Sequence, residues 1–235
     1  MQQTRIAQGT AYYLRFVEEF PTISHLSNAS ADKVLSLWEG LGYYTRARNL
    51  HKAAQHITTQ LDSKFPDTYE GLLALPGIGP YSAAAISSFA YNLPHAVVDG
   101  NVKRVIARYH GIFESVDDPK TYEKIQKLAQ KHLTGVRPDE FNQAIMNFGA
   151  LVCKPKPLCD ICPLSTKCYA FRNDMTASLP VKSIKKLKLS RYFHFIVIHH
   201  RGKILLVRRE HNDIWKGLYV PPVTELTSTR APSSK

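Results

Sequence analysis

Residues 75–103 combine a glycine-rich turn with one carboxylate. The turn reads LPGIGPY over residues 75–81, and an alanine-rich segment separates it from VVDGNVK at residues 97–103. Glycines let such a turn present backbone N–H groups at a helix N-terminus, where they bind a phosphate diester whatever the base sequence. Asp99 is the single acidic residue of the whole segment. A phosphate clamp beside one Asp predicts chemistry on a nucleotide.

All four cysteines lie within residues 153–168, with the spacing Cys-x5-Cys-x2-Cys-x5-Cys. Cysteines grouped this closely are typical of ligands to one metal centre, either a tetrahedral zinc ion or a four-iron four-sulfur cluster. The spacing does not distinguish these two. Disulfides are the less favoured alternative, because the first residues lack the apolar run of a secretion signal. The candidate metal ligands are Cys153, Cys159, Cys162 and Cys168.

The chain carries 31 Lys and Arg against 19 Asp and Glu, which gives a net charge of +12. A basic surplus of this size favours a polyanionic partner, either nucleic acid or an anionic membrane face. The sequence contains no run of about 18 apolar residues, so it predicts no membrane span. A cytoplasmic location is the expectation.

These residues must be positioned by a helical module that extends to about residue 152. Ser30 is a candidate N-cap for a helix with the apolar stripe Val34, Leu37, Trp38 and Leu41. A second stripe consists of Leu50, Ala53, Ala54, Ile57 and Leu61. Further helices are predicted over residues 69–74, 80–91, 100–109 and 119–133, and around residues 141–148.

The composition changes after Cys168. Residues 180–209 contain nine Lys or Arg and no acidic residue. Strands are predicted over residues 192–198 and 203–207 around a His-Arg-Gly turn, with a third extended segment over residues 215–222. Two or three strands make a poor independent core, so this second domain is expected to be cut short. The basic run 182–191 favours a solvated linker, with DNA contact as the alternative.

Taken together, these motifs resemble the adenine DNA glycosylases that excise adenine mispaired with 8-oxoguanine, a branch of the helix-hairpin-helix glycosylase superfamily. The resemblance covers nearly the whole chain. The tail DIWKGLY at residues 213–219 resembles the start of the Nudix-like domain that reads 8-oxoguanine. The other matching motifs are QQTR at 2–5, WEGLGYY at 38–44, the hairpin at 75–81, VDGNVKRV at 98–105, FNQA at 141–144 and the cysteines.

The resemblance implies a mainly α fold, the helix-hairpin-helix DNA glycosylase fold, with an iron–sulfur loop and a partial β piece. The implied domains are a helical module over 1–152 with its hairpin at about 68–92, a cysteine loop over 153–168, a basic linker over 169–190 and a truncated Nudix-like domain over 191–235. It also implies one [4Fe-4S] cluster rather than zinc, although the first cysteine spacer is one residue shorter than is usual in the family. The implied partner is mismatched double-stranded DNA, bound by a monomer in a nucleoid-associated, bacterial-type setting.

The implied reaction is hydrolysis of the N-glycosidic bond of adenine opposite 8-oxoguanine or guanine. Such a reaction needs an acid that protonates the base and an anion that stabilises the cationic sugar. Asp99 is the expected anion, acting through its charge or through a transient covalent bond, and helix capping is its alternative role. Asn101 is expected to hydrogen-bond Asp99, and helix capping is its alternative role. Tyr81 stands where endonuclease-III-type enzymes carry a nucleophilic Lys, which implies a monofunctional glycosylase; plain packing is the alternative.

The resemblance also implies a set of DNA contacts. Gln3 and Tyr43 match wedge residues that fill the space left by an extruded base, with core packing as the alternative for Tyr43. Lys103 is expected to contact phosphate, or else to be a solvated helix residue. The expected DNA-binding residues are Gln2, Gln3, Thr4, Arg5, Tyr43, Gly77, Gly79 and Lys103.

In the family, a catalytic Glu precedes the Gln-Gln-Thr run, and the sequence begins at Met1. Glu18, Glu19 and Glu39 do not match that position. A chain truncated at both ends is therefore the expectation. If Met1 is the true start, little or no excision is expected, and adding an upstream segment with its Glu should restore activity on A:8-oxoguanine duplexes. Two alternatives remain open: a related glycosylase that acts on thymine or another mismatched base, and a non-catalytic protein that binds lesions.

Overall fold

The computed structural model describes residues 6–183, 190–210 and 213–226, with side chains from residue 9 onward. The chain divides into two units by its contacts: residues 1–63 with 186–235, and residues 64–185. The first unit thus joins the N-terminal helices to the C-terminal strands. The cysteine segment belongs to the second unit.

In the described part of the first unit, four helices come first: α1 (Ile6–Glu19), α2 (Ile23–Asn28), α3 (Ala31–Leu37) and α4 (Tyr44–Gln60). Ser30 caps α3 as predicted, because its side chain accepts a hydrogen bond from the Lys33 N–H at 3.2 Å. This helix ends earlier than predicted, at Leu37, since a turn through Gly40 with φ of +86° follows it. In α4 the expected core residue Leu50 is exposed. The buried core contains Leu26, Val34, Leu35, Ala47 and Ala54.

Among the described residues, six short strands complete the first unit and pair as three antiparallel two-stranded ladders. The turn at Arg201 and Gly202 lies where it was predicted, between β2 and β3. The predicted strand 192–198 ends at Phe195, and its partner β6 was not predicted. The Nudix-like character of this segment stays a prediction. The strands are β1 (Tyr192–Phe195), β2 (His199–His200), β3 (Lys203–Ile204), β4 (Val207–Arg208), β5 (Tyr219–Val220) and β6 (Val223–Leu226).

The second unit is helical, and its helix bounds agree with the sequence prediction within a few residues. Proline occupies the first turn of α6, α8 and α9, which fixes where each of these helices begins. The helices are α5 (Tyr69–Leu73), α6 (Pro80–Tyr91), α7 (Gly100–His110), α8 (Pro119–Leu133), α9 (Pro138–Leu151) and α10 (Tyr169–Arg172). Their shared core includes Val98, Val102, Ile106, Ile112, Ile125 and Leu133.

The segment after the cysteines packs on this unit. It was predicted to be a basic linker, yet it begins with α10 and buries Ala170 and Leu179. The Val116 N–H donates to the Val181 carbonyl at 3.0 Å, which attaches the segment to the loop before α8. Residues 184–189 of the predicted linker lie outside the described residues. Across the described ranges, no helix combines the length and apolar character needed to cross a membrane.

Candidate active site and cysteine loop

Asp99 lies at the start of α7, where three N–H groups hold its carboxylate. Its Oδ1 accepts hydrogen bonds from the backbone N–H groups of Asn101 at 2.8 Å and Val102 at 2.7 Å. Its Oδ2 accepts a third from the Asn101 side-chain amide at 3.0 Å. Asp99 is therefore the N-cap of α7, and its half-buried carboxylate has a fixed orientation. Both backbone N–H groups bond to Oδ1, so Oδ2 can accept a further hydrogen bond from a ligand.

Tyr81 lies in the first turn of α6, half-buried and close enough to Asp99 to sense its charge. Burial, with a smaller contribution from the Asp99 carboxylate, raises the pKa of the Tyr81 phenol. The phenol is consequently protonated at neutral pH and has a hydrogen to donate. The structure thus brings together two of the residues that the sequence predicted for one site.

Arg104 connects this site to the cysteine loop. Its Nη2 donates to the side-chain oxygen of Asn101 at 2.9 Å and to the Gly149 carbonyl at 2.7 Å. Its Nε donates to the Cys153 carbonyl at 2.7 Å. Because the guanidinium occupies the Asn101 oxygen, the Asn101 amide nitrogen faces Asp99. Arg104 is therefore a positioning residue that acts on Asp99 through Asn101.

Gly149 allows α9 to approach the start of α7. A Cβ at this position would lie 2.8 Å from the Cβ of Asn101 and 3.1 Å from its backbone carbonyl atoms. Contacts this short with backbone atoms force one helix to move. The absence of a side chain at residue 149 therefore sets where Asn101 lies.

Gly149→Ala is expected to lower the free energy of unfolding by about 1–3 kcal/mol, because it overpacks a contact with backbone atoms. Urea denaturation of the two proteins measures this difference. Gly100→Ala is a control for alanine substitution at an open position, since nothing lies within 4 Å of its added Cβ and its φ is outside the left-handed region. It should therefore change the stability much less than Gly149→Ala does. A stability equal to the parent in Gly149→Ala would contradict the close approach.

Asn142 fixes the segment that leads into Asp99. It is fully buried in α9, and its Oδ1 accepts a hydrogen bond from the Val97 N–H at 2.9 Å. Its amide donates to the Ser88 hydroxyl at 2.8 Å and to the His95 carbonyl at 2.9 Å. These bonds tie α6, α9 and the segment before α7 together with a single side chain.

The turn between α5 and α6 forms the predicted hairpin. Gly77 has φ of +79°, a conformation that favours glycine. Gly79 is the N-cap of α6, and none of the described side chains caps this helix. By contrast, Thr68 and Asp99 cap α5 and α7 with their side chains. The first turn of α6 thus has the form of an anion-binding helix N-terminus.

Lys103 is held by contacts with its neighbours, whereas Tyr43 is exposed. The Lys103 ammonium donates to the Val116 carbonyl at 3.1 Å and lies 4.8 Å from the centre of the Tyr122 ring. Tyr43, in the first unit, is 61% exposed, with the Arg46 guanidinium 4.6 Å from its ring centre. Its neighbour Tyr44 packs on the core. Tyr43 is therefore the outward-facing member of the pair, and its wedge role stays a prediction. Gln2, Gln3, Thr4 and Arg5 lie outside the described residues.

The four cysteines line one small cavity. Its volume is about 30 Å³, more than the roughly 10–15 Å³ that one water needs. Burial, and to a lesser extent the three other thiols, raises the pKa of Cys159, whereas Arg108 lowers it. Among the described residues, no three or more His, Cys, Asp or Glu side chains form a group suited to a metal ion. The cavity lining includes Cys153, Cys159, Cys162, Cys168 and Arg108.

Arg108 is a buried cation beside these cysteines. It is 3% exposed, and within the part of the chain that the structure describes it has no carboxylate partner. Its Nη1 lies 3.5 Å from the Cys153 sulfur. A buried guanidinium needs hydrogen bonds and a compensating negative charge. Its other contacts are backbone carbonyls, those of Lys154, Pro155, Thr176 and Leu179, at 2.6–2.8 Å.

No role was predicted from the sequence for Arg104, Arg108, Asn142 or Gly149. One signal was available: Arg104 follows Asn101 by three residues on α7, so the two share a helix face. The contacts of Arg108 and Gly149 join residues about 45 positions apart. Spacing in one sequence does not show such contacts.

The hairpin turn before α6 and the aspartate that caps α7 both lie in the part of the chain that a protein family matches. A family model described as "HhH-GPD superfamily base excision DNA repair protein" matches residues 1–133. The chain belongs to this superfamily.

Curated relatives point to one group of proteins within this superfamily. The "Adenine DNA glycosylase" of Buchnera aphidicola subsp. Baizongia pistaciae (strain Bp) is 38% identical over 229 residues, covering 94% of this chain and 63% of the relative. The "Adenine DNA glycosylase" of Homo sapiens is 41% identical over 172 residues, covering 72% of this chain and 32% of the relative. These relatives confirm the resemblance. The chain spans less than two thirds of the length of each.

Solved structures confirm the helix-hairpin-helix glycosylase fold. A thermostable thymine-DNA glycosylase matches with a TM-score of 0.66 and 26% identity, over 73% of this chain and 80% of that one. A trapped endonuclease III–DNA covalent intermediate matches with a TM-score of 0.64 and 24% identity, over 74% of this chain and 80% of that one. At 24% identity, the match to the endonuclease III structure shows a shared fold and nothing more.

Proposed function

We propose that this protein is a monofunctional DNA glycosylase that removes adenine opposite 8-oxoguanine or guanine from double-stranded DNA. The observation that carries the proposal is the Asp99 carboxylate, held by three N–H groups beside a protonated Tyr81. The names of the relatives supply the base, and the resemblance noted in the sequence supplies the opposing 8-oxoguanine.

Asp99 would act on the sugar of an extruded nucleotide. The bond to adenine would break as a general acid, a role that the resemblance gives to a Glu, protonates the departing base, and water would then add to the sugar. Positive charge develops on the deoxyribose as the bond breaks, and an oriented carboxylate stabilises it more than it stabilises the neutral ground state. The hydrogen bonds that orient Asp99 form before substrate arrives, so no reorganisation is needed during the reaction. Asn101 and Arg104 would keep this orientation.

Tyr81 would provide a hydrogen-bond donor and no amine. A phenol cannot form a Schiff base with the sugar, so hydrolysis would end at an abasic site with the strand intact. The Lys103 ammonium is hydrogen-bonded to the Val116 carbonyl. These placements favour a glycosylase without lyase activity.

An excision assay tests the proposal on the protein expressed from its complete reading frame. Labelled duplexes containing A opposite 8-oxoguanine, A opposite G and T opposite G are incubated, and abasic sites are revealed by alkali. We expect the fastest excision for A opposite 8-oxoguanine, with no strand break before alkali. Thymine release would favour the other class of mismatch glycosylase. Salt-dependent binding without any abasic product would indicate a lesion-binding protein.

We also infer that Cys153, Cys159, Cys162 and Cys168 hold one [4Fe-4S] cluster. The donor set fits by its chemistry, because cysteine sulfurs are the usual ligands of an iron–sulfur cluster and these four line a single cavity. Such a cluster, when bound, supplies metal–thiolate bonds that fix the loop. Its net negative charge would also balance Arg108. A brown protein that absorbs near about 400 nm and contains iron and sulfide supports this assignment. A colourless protein that contains one zinc contradicts it.

Gly79→Ala should separate DNA binding from folding. Its added Cβ meets nothing within 4 Å and Gly79 is extended, so we expect a loss of no more than about 1 kcal/mol, the cost of alanine in place of glycine at an N-cap. A Cβ at this N-cap would stand between phosphate and the N–H groups, so duplex affinity should fall by about tenfold. Fluorescence anisotropy with a mismatched duplex measures the affinity. An unchanged affinity would remove the hairpin turn from the DNA interface.

A further inference from the structure

The segment that leads into Asp99, residues 94–98, belongs to no helix or strand and ends in three buried residues. Ala96, Val97 and Val98 are at most 4% exposed. Buried backbone N–H and C=O groups need hydrogen-bond partners, and a neighbouring strand is the usual source of them. The described strands pair only with one another. Side chains from other elements therefore have to supply the partners of this segment.

Two glutamines of α8 bond to the backbone of residues 94–98. The Gln130 Oε1 accepts from the Ala96 N–H at 3.0 Å, and its Nε2 donates to the Pro94 carbonyl at 2.7 Å. The Gln126 Nε2 donates to the Ala96 carbonyl at 2.8 Å. The two glutamines are four residues apart, so they share one face of α8. Gln130 thus uses both ends of its amide, and these two bonds fix the orientation of that amide.

Asn142 of α9 holds the same segment at the intervening residues. It bonds to the His95 carbonyl and the Val97 N–H, one residue out of step with the glutamines. Neighbouring residues of an extended chain direct their N–H and C=O groups to opposite sides. The segment is therefore bonded to α8 on one side and to α9 on the other.

We propose that Gln130 and Gln126 are positioning residues for adenine excision, which set where Asp99 lies by bonding residues 94–98 to α8. This proposal rests on the proposed function of Asp99. Neither glutamine touches the reacting atoms, and each acts through the backbone. The proposal gives α8 a part in the active site.

The path from Ala96 to Asp99 is short and is fixed at both ends. Two buried β-branched residues, Val97 and Val98, lie between them, and such side chains have few alternative rotamers. Beyond Asp99, Arg104 bonds α7 to α9. A shift of Ala96 away from α8 is consequently passed on to the Asp99 carboxylate. Misplacing a reacting group by about 1 Å can cost about 10²-fold in rate.

Gln130→Met tests the proposal, because methionine is of similar length and makes neither hydrogen bond. Both glutamines are half-buried, so their replacement opens no cavity in the core. We expect the single-turnover rate constant for A opposite 8-oxoguanine to fall about tenfold, with duplex affinity within about twofold of the parent. The affinity is retained because the hairpin turn is untouched. Gln126→Met removes one bond instead of two, so its rate constant should fall less, by about threefold.

Gln55→Met is the matched control. Gln55 is an exposed glutamine of α4 in the other unit, and its amide bonds to the His51 ring within the same helix. Its replacement should leave the excision rate constant unchanged. All variants are made in the protein expressed from its complete reading frame, and urea denaturation confirms that each is folded under the assay conditions.

Hydrogen–deuterium exchange measures the displacement of Asp99 without DNA. The N–H groups of Asn101 and Val102 donate to the Asp99 carboxylate, so they should exchange at least about threefold faster in Gln130→Met than in the parent. A purely local loss at Ala96 would not reach these two groups.

Parental exchange at Asn101 and Val102 in Gln130→Met would overturn the proposal. So would parental excision rate constants in both α8 variants, or an equal fall in Gln55→Met. A parent protein that excises no adenine would contradict the proposed function. The exchange measurement would then decide by itself whether the glutamines position Asp99.

Discussion

Asp99→Asn is expected to reduce single-turnover excision of adenine at least about 10³-fold, which corresponds to about 4 kcal/mol of transition-state stabilisation. Asparagine keeps an oxygen that can accept from the N–H groups of Asn101 and Val102, so the cap of α7 survives. What is lost is the negative charge that would face the cationic sugar. The rate constant is measured on the protein expressed from its complete reading frame, at saturating enzyme with a duplex containing A opposite 8-oxoguanine.

Asp118→Asn is the matched control for this experiment. Asp118 caps α8 in the same manner, accepting from the N–H groups of Lys120 at 2.9 Å and Thr121 at 3.1 Å. Its replacement should leave excision unchanged and alter the stability to a similar small extent. Should Asp99→Asn retain the parental excision rate, Asp99 would be a cap and nothing more.

Arg108→Met is expected to lower the free energy of unfolding by about 3–5 kcal/mol in the protein as isolated. Methionine fills part of the volume, yet it leaves four carbonyl oxygens without their donor. It also removes the cation beside the Cys153 sulfur. Urea denaturation followed by circular dichroism measures the change, and iron content reports whether the cysteine loop still holds its metal.

Arg137→Met is the control, because Arg137 is exposed whereas Arg108 is buried. Arg137 is 62% exposed at its side chain and pairs with Asp139 and Glu140 on the surface. Its replacement should cost less than about 1 kcal/mol. Equal effects of the two substitutions would mean that Arg108 does not organise the loop.

The helices of the second unit were predictable because their boundaries are encoded locally. Pro80 and Pro119 occupy first-turn positions, and Asp118 is an N-cap. In the first unit, the end of α3 was missed since the left-handed turn at Gly40 outweighed the apolar spacing that continued to Leu41. Strand β6 was missed because four residues next to a polar tail give a weak alternating pattern.

The candidate site was predictable only in part. Asp99, Asn101 and Tyr81 were found from one short stretch of sequence and its family resemblance. The residues that hold them in place were not predicted, because the hydrogen bonds of Arg104 to Gly149 and Cys153 span 45 and 49 residues of sequence. Contacts of this kind depend on how α7 and α9 cross, which follows from packing and not from local propensity.

The narrow space between residue 149 and Asn101 has an evolutionary consequence. Any lineage that acquires a side chain at position 149 would have to shorten the residue at 101 or separate the two helices, because the added atom would lie 2.8 Å from the existing one. Natural variation at these two sites should therefore be correlated, with bulk at one accompanied by its loss at the other.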